Sequence, residues 1–577
     1  MTPGLAVDRL SAASLKTTTL NTEQEPMADI SGARILARNL KQQGVDYVFG
    51  IVGFPVVSVA RAMQSEGITF IGMRNEQSAS YAAQAAGYLT GRTQGCLVVS
   101  GPGVIHALAG LANAKENLWP MILIGGASPT DQNGMAAFQE EDQVAATKPW
   151  CKYAHRIESH DRIPYYVEQA VRTSLFGRPG PVYLDMPADV IDGRVDEATI
   201  GTATTVGEAP RTHAEPDSVR RAIGVLKGAE KPLLIVGKGM AWARAESEVR
   251  QFVEWTELPF LASPMGKGVI PDDHRLSVGA ARSHALQEAD VILLAGARLN
   301  WIMHFGGTPR FNPAVKILQL DSHPEQIGHN VPAEVALVGD GRAIMGQFNA
   351  ELADDPWSYE GDTPWRRSIA EKIAANEEAV AGMRADDSSP MNYYRAFRDI
   401  TEWLRPDDII VGEGANTMDI GRTQMPNVNP RHRLDAGSYG TMGIGLGFAV
   451  AAAVCNPGKR VVTVQGDSAF GFSGMEMETI CRYQLPVVVI ILNNNGIGGG
   501  EAELPEDGPP PPNMYLPTAR YEKIAEAFGA GSFFVEDPAD LRSALDGAAA
   551  LNGPAIVHVR LDPKAGRKPQ AHGWLTR

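Results

Sequence analysis

Along the chain, short apolar runs rich in β-branched residues alternate with longer stretches whose apolar positions recur at helical spacing. Near the start, Ala33–Gln43 carries the helical pattern, Tyr47–Val52 is an apolar run of strand length, and Phe54–Glu66 is helical again. The alternation continues through a strand at Ile68–Met73, an Ala-rich helix at Gln77–Thr90 and strands at Cys96–Ser100 and Met121–Gly125, with Gly101-Pro102-Gly103 opening another helix between the last two. Strands that are apolar throughout and separated by helices call for a parallel sheet covered on both faces. A middle segment repeats the pattern at Pro232–Val236, Val291–Ala295 and Lys316–Leu320, and a last one at Val461–Val464 and Val487–Leu492, around a helical stretch Met475–Arg482. The chain therefore reads as α/β, with three doubly wound parallel-sheet domains and no short internal repeat.

Polar segments without a period set the boundaries. Residues 1–28 read as a disordered extension without the apolar core of a signal peptide, and Met27 is an alternative start. A first domain over 29–190, a linker over 191–215, a middle domain over 216–355, an acidic, partly helical linker over 356–390 and a third domain over 391–562 follow, with 563–577 as a flexible C-terminal lid. Length agrees, since 577 residues exceed one core and suit about three domains of roughly 150–200 residues. A net charge of −15 argues against a general nucleic-acid binder, which needs a basic footprint. The sequence has no run of about 18 apolar residues, so no membrane span is expected. Four cysteines, Cys96, Cys151, Cys455 and Cys481, are scattered without metal-binding spacing, which fits free thiols and a cytoplasmic location.

Candidate chemistry concentrates at residues 466–495, GDSAFGFSGMEMETICRYQLPVVVIILNNN. The run Val461–Val464 leads into Gly466-Asp467-Ser468 and a Gly-punctuated turn, and Val487–Leu492 leads into three asparagines. As adjacent parallel strands, these place Asp467 and Asn494 together at their carboxyl ends, where open α/β sheets bind ligands. A carboxylate and an amide oxygen suit Mg²⁺ or Ca²⁺, which bridges such groups to phosphate. Read in isolation, the two ends are a β-turn and a polar loop. Their order and spacing resemble the diphosphate anchor of thiamine diphosphate enzymes.

Other segments extend that resemblance over nearly the whole chain: Val48-Phe49-Gly50, GMRNEQ (72–77), SGPGVIHAL (100–108), FQEEDQ (138–143), GRPGPVYLDMPAD (177–189), GARLNW (296–301), GANTMDIGR (414–422) and RHRLDAGSYGTMGIGLGFA (431–449). Together they resemble the 2-hydroxyacyl-CoA lyases, with oxalyl-CoA decarboxylases as the nearest relatives. The resemblance implies thiamine diphosphate and Mg²⁺, a pyrimidine-binding first domain, a nucleotide-type middle domain and a diphosphate-binding third domain. It implies cleavage of an acyl-CoA substrate to formyl-CoA plus CO₂ in one family, or an aldehyde or ketone in the other. It also implies a homo-oligomer, at least a dimer and by likeness a tetramer, because the cofactor site is shared between subunits.

The residues carried over are these. Glu76 meets the cofactor's aminopyrimidine; on its own it is a helix N-terminal carboxylate. Phe138-Gln139 stands where the decarboxylases have Tyr-Glu, so an uncharged fragment is expected. His106 replaces an asparagine and is the candidate base for the substrate hydroxyl, with the cofactor's own imino group as rival. Met442, Ala415, Asn416, Gly466, Ser468, Ala469 and Ile497 line the cofactor, and Gly496 offers a third metal ligand. Arg282 and Arg422 are candidates for the CoA nucleotide, since phosphates favour forked guanidinium donors. Arg178, Lys238, Arg298 and Asp321 match an ADP site in the middle domain, and each serves equally well as a surface ion pair.

Two departures bear on substrate choice. The related proteins read Gly-Ile-Tyr after the asparagines, whereas this chain reads Gly496-Ile497-Gly498-Gly499-Gly500, which predicts a roomier pocket suited to a branched fragment such as 2-hydroxyisobutyryl-CoA. The Pro-rich segment Glu501–Asn513 and the tail with His572 and Trp574 are expected to cover the site. An acetolactate-synthase-like enzyme or a silent thiamine diphosphate-binding protein stay as more distant alternatives.

Overall fold

The computed structural model describes residues 29–568, so the N-terminal extension, His572 and Trp574 lie outside the described residues. Three parallel sheets organise the chain. The first contains β2 (Tyr47–Gly50), β3 (Thr69–Gly72), β4 (Gln94–Val98), β5 (Met121–Ala127), β6 (Tyr153–Arg156) and β7 (Pro181–Pro187), while β1 (Asp29–Ser31) pairs antiparallel with β8 (Arg194–Asp196) beside it. The middle sheet contains β9 (Pro232–Val236), β10 (Phe260–Ala262), β11 (Val291–Ala295), β12 (Lys316–Asp321) and β13 (Ala333–Val338). The third contains β14 (Ile409–Glu413), β15 (Arg433–Asp435), β16 (Val461–Gly466), β17 (Val487–Asn493), β18 (Gly531–Val535) and β19 (Ala555–Arg560). These are the α/β sheets expected from the apolar runs.

The strand orders show a relation absent from the sequence reading. The first sheet runs β3-β2-β4-β5-β7-β6 and the third β15-β14-β16-β17-β19-β18, which is the same order shifted by twelve strands. The two domains are therefore built alike, although their residues show no repeat. Other differences are local. The middle sheet has five strands rather than three, because β10 is short and β13 alternates buried and exposed positions. The glycine-rich turn after Gly466 is instead a helix, Asp467–Ser473, broken at Gly474 before a second helix, Glu476–Arg482. The linker over 356–390 is partly helical as expected, with a 21-residue helix at Pro364–Arg384.

First and third domains pack through matching helices, Glu76–Thr90 and Gly445–Cys455. A side chain at Gly447 would meet the Ser78 carbonyl at 2.7 Å, so the helices approach at backbone distance. A buried carboxylate pins the contact. Glu476 accepts from the backbone N–H groups of Arg74 at 3.1 Å and Asn75 at 3.0 Å, and from the Thr479 hydroxyl at 2.7 Å. Nearby, Tyr483 Oη accepts from Gly72 N at 2.9 Å and Arg482 donates to Gly72 O at 2.7 Å. The loop that precedes Glu76 is thus shaped by the third domain.

Replacing Glu476 by leucine leaves two part-buried N–H donors without their acceptor, and the expected cost is about 1–3 kcal/mol of stability. Calorimetric melting should show a clear loss for Glu476→Leu and a smaller one for Glu476→Gln, which keeps an acceptor oxygen.

Candidate active site

Two strand-end edges carry the candidate residues. In the third domain β16 and β17 are adjacent, with Gly466 opposite Leu492, so Asp467 and Asn494 emerge side by side as expected. One end of the Asn494 amide lies 2.9 Å from Gly496 O and 3.1 Å from Asp467 Oδ1, and its other end lies 3.1 Å from Tyr393 Oη. As the amide stands, its oxygen faces the other two. Turned over, it would donate to both. Unturned, the amide oxygen lies about 3 Å from each of the other two, which is the spacing of neighbouring ligands around Mg²⁺ held at about 2.1 Å from the ion. The donors are all hard oxygens, one carboxylate, one amide and one carbonyl. Asp467 Oδ2 is buried without a protein partner, and burial pushes the carboxyl up to about 7 despite several backbone N–H donors. A buried acceptor with an open lone pair fits a cation. Asp467, Asn494 and Gly496 therefore suit the metal that the resemblance implies.

The surroundings of that edge are set by a carboxylate that spacing did not reveal. Glu413, at the end of β14, accepts from the N–H groups of Gly443, Ile444 and Gly445, fixing the loop that carries Met442. Burial holds its carboxyl up at about 7. A strand ending in an acidic residue before a glycine-rich segment is the signal that identified Asp467, and it applies equally to IIVGEGANT. Ala415 and Asn416 open the next helix, where the Asn416 amide donates to Gly498 O at 3.2 Å and so reaches the glycine run. Ser468 Oγ lies 3.2 Å from Tyr515 Oη, Ala469 is buried beneath, and Ile497 is exposed at the rim.

In the first domain Glu76 begins its helix, with Asn75 as N-cap accepting from Gln77 N at 2.8 Å. His106 sits one turn into the neighbouring helix, Pro102–Asn117, and its Nδ1 is 3.2 Å from Glu76 Oε2. Residues thirty apart in sequence meet because the two helices pack closely: a side chain at Gly110 would fall 2.0 Å from Ser80 Oγ. The imidazole is 61% exposed and faces open space, whereas the Glu76 carboxylate is mostly covered.

Phe138 and Gln139 lie beside this turn. Gln139 holds a left-handed backbone, φ 55°, against Gly101 at φ 56°, whose missing Cβ would fall 2.6 Å from Gln139 O. Gln143 locks the loop: its amide accepts from Gly101 N and donates to Gly126 O at 2.9 Å and to Asp185. Phe138 is 67% exposed and meets Phe54 edge-to-face, centroids 6.0 Å apart. The adjacent carboxylate of Glu140 is turned back onto the N–H groups of Gly134 and Ala137, which hold it below the usual range. The loop thus presents an aromatic ring and a neutral amide.

The nucleotide candidates fall into two groups. Lys238, Arg298 and Asp321 follow or end β9, β11 and β12 at the carboxyl edge of the middle sheet, and the charges of Arg178 and Arg298 act on Asp321 there. Lys238 and Arg298 also tie the middle domain to the first, through Asn117 Oδ1 at 2.9 Å and Glu116 O at 2.7 Å. Burial drives Lys238 well below the usual lysine range. Arg178 donates to Gln326 at 2.9 Å. Elsewhere, Arg422 is paired with Asp435 at 3.0 Å and Asp419 at 3.1 Å, whereas Arg282 has His304 and the Ile302 carbonyl as neighbours. Burial first, then Arg310 and Arg422, pushes Arg282 down to about 10. An anionic ligand would relieve that site more than it would relieve Arg422.

Comparison with known proteins agrees with this geometry. Residues 30–146 match the family described as thiamine pyrophosphate enzyme, N-terminal TPP binding domain; residues 219–348 match its central domain, and residues 414–559 its C-terminal TPP binding domain. The chain is 48% identical over 562 residues to 2-hydroxyacyl-CoA lyase 1 of Homo sapiens, covering 95% of this chain and 97% of that one. It is 43% identical over 554 residues to 2-hydroxyacyl-CoA lyase of Arabidopsis thaliana, covering 93% and 96%. It is 41% identical over 555 residues to oxalyl-CoA decarboxylase of Escherichia coli (strain K12), covering 94% and 97%. With this identity along both lengths, and with both edges of the site assembled from the matching segments, the chain belongs to the thiamine pyrophosphate enzymes, in the group that holds the 2-hydroxyacyl-CoA lyases and oxalyl-CoA decarboxylases.

Proposed function

We propose that the protein is a carbon–carbon lyase that cleaves a 2-hydroxyacyl-CoA to formyl-CoA and an aldehyde or ketone, using thiamine diphosphate and Mg²⁺, and that also runs in the condensing direction. The observation that carries this reading is the 3.2 Å contact of His106 Nδ1 with Glu76 Oε2. A carboxylate only accepts, so Nδ1 carries the proton and Nε2 carries the lone pair. Nε2 is then a base for the 2-hydroxyl proton, which a lyase must remove and a decarboxylase need not. When bound, thiamine diphosphate supplies a nucleophilic carbon and then an electron sink for the pair released as the carbon–carbon bond breaks. Glu76 moves the proton that controls that carbon, Asp467, Asn494 and Gly496 hold the metal, and Phe138 with Gln139 receives an uncharged fragment.

The absent side chains at Gly498–Gly500 favour branched fragments. Both edges of the site expose large apolar side chains, Phe54, Ile105 and Phe138 on one and Tyr439, Phe472 and Ile497 on the other, which supports cover by a second copy of the chain. We therefore place the enzyme as a dimer or tetramer. The cysteines Cys96, Cys151, Cys455 and Cys481 are unpaired, in keeping with the cytoplasm. ADP in the middle domain would use Asp321, at the end of β12, together with Arg178, which already reaches the middle domain through Gln326 at 2.9 Å.

Offered 2-hydroxyisobutyryl-CoA and oxalyl-CoA side by side, the enzyme should form acetone and formyl-CoA from the first faster than CO₂ from the second. The reverse ranking would make it a decarboxylase. His106→Asn should lower kcat for the hydroxyacyl substrate about 100-fold; Glu76→Gln should lower it by at least that factor. Asp467→Asn should raise the Mg²⁺ requirement about 100-fold, measured by titrating the metal at fixed thiamine diphosphate.

A further inference from the structure

Beneath the oxygen cluster lies a buried polar chain that the proposed chemistry does not use. His558, on β19, is fully buried in the third domain, one strand over from the asparagines. Its Nδ1 is 2.7 Å from Glu522 Oε2, and the other Glu522 oxygen accepts from Arg520 Nε at 2.6 Å. Its Nε2 is 3.0 Å from Asn493 Nδ2, and Asn493 Oδ1 in turn accepts from Asn495 N at 2.9 Å. The rings of Tyr521 and Phe534 stand edge-on to the imidazole at 5.3 and 5.1 Å and keep water out.

Each link admits a single proton arrangement. The carboxylate of Glu522 can only accept, so Nδ1 of His558 carries the proton and Nε2 of the neutral ring accepts. Asn493 must therefore turn its NH₂ toward His558 and its oxygen toward the N–H of Asn495. Asn495 adopts φ 61°, a left-handed turn that sits between Asn494 and Gly496, two of the three oxygen donors. Flipping the Asn493 amide would set its NH₂ against that N–H and remove the bond on the strand side of the turn, leaving Tyr515 N to Asn495 O at 2.9 Å and Asn495 Nδ2 to Glu501 O at 3.0 Å on the other side. Nothing else among the described hydrogen bonds fixes the Asn493 side chain.

We propose that His558, oriented by Glu522, is a positioning residue for the cation: through Asn493 it holds the Asn494–Gly496 turn so that its oxygens converge on Asp467. This rests on the reading of Asp467, Asn494 and Gly496 as the metal site. It assigns to a residue more than sixty positions away in sequence a share of the metal affinity without contact with the metal. Partners that orient metal ligands typically account for about 10–100-fold in affinity.

The test is the Mg²⁺ concentration needed to retain thiamine diphosphate, read by quenching of intrinsic tryptophan fluorescence in the full chain. His558→Phe keeps the ring and removes both nitrogens; Asn493→Ser is the milder break in the same chain. Folding of each is checked by circular dichroism and melting. The expected result is a Mg²⁺ requirement raised about 10–100-fold in both, with kcat restored at saturating Mg²⁺, and a shift of less than threefold in Glu522→Gln, which keeps an acceptor for Nδ1. A role confined to the core predicts a lower melting temperature with an unchanged Mg²⁺ requirement, and that outcome in either folded variant overturns the proposal. Asp467→Asn is measured alongside. If it too leaves the requirement unchanged, the metal-site reading has failed; if it alone raises the requirement, only the role of His558 has.

Discussion

One buried carboxylate ties the first domain of the chain to the third. Glu476 belongs to the third domain, yet it spends two of its hydrogen bonds on backbone N–H groups in the loop just before Glu76. Burial disfavours its charge and pushes its pKa up; the Thr479 hydroxyl offsets part of that penalty from within the third domain, and the Arg74 and Asn75 N–H groups offset more while the first domain stays docked. The position of the Glu76 carboxylate is therefore a property of the interface and not of the first domain alone. The backbone-distance contact of the Glu76–Thr90 and Gly445–Cys455 helices, at Gly447 and Ser78, follows the same constraint.

Two sheets of one strand order have been put to unlike uses. After its third central strand, the third domain turns at Gly466 into hard oxygen donors. At the corresponding place, after β4, the first domain turns at Gly101 into a helix that carries an imidazole toward a carboxylate. Parallel sheets offer their carboxyl edges for ligands whatever the side chains, so two domains of one strand order present two such edges. One edge is built for charge and geometry, the other for proton movement. The different burial of their acids reflects this: Asp467 is enclosed with an oxygen unpartnered, whereas Glu76 faces a histidine open to the outside.

Much of this was legible in the residues. Continuous apolar runs such as Val461–Val464 and Val487–Leu492 announce buried parallel strands, because both faces are covered and nothing polar is tolerated along them. Asp467 and Asn494 could be paired on that basis alone. The helix at Asp467–Ser473 was misread as a turn, since its glycines lower helix propensity and only packing against the sheet overrides them. β13 escaped because its outward positions are polar. The likeness of the first and third sheets left no trace in the side chains, as strand order follows from connection handedness rather than composition. Glu413, Glu476 and His558 act on backbone groups or amides brought near by the fold, and spacing along the chain carries no record of such partners.

The pairing of Gln139 with Gly101, two left-handed residues back to back, divides the substrate loop into unequal parts. Position 139 and the Gln143 lock beneath it are held by backbone geometry, and most replacements there would reshape the loop before they reshaped any pocket. Phe138 is under no such backbone restraint: its side chain is 67% exposed and meets the Phe54 ring edge-to-face. A residue at 139 has to accept the left-handed turn against Gly101 as well as suit the fragment, whereas one at 138 has only the fragment and Phe54 to suit. A library built to change the accepted fragment therefore tolerates the wider choice of side chains at 138.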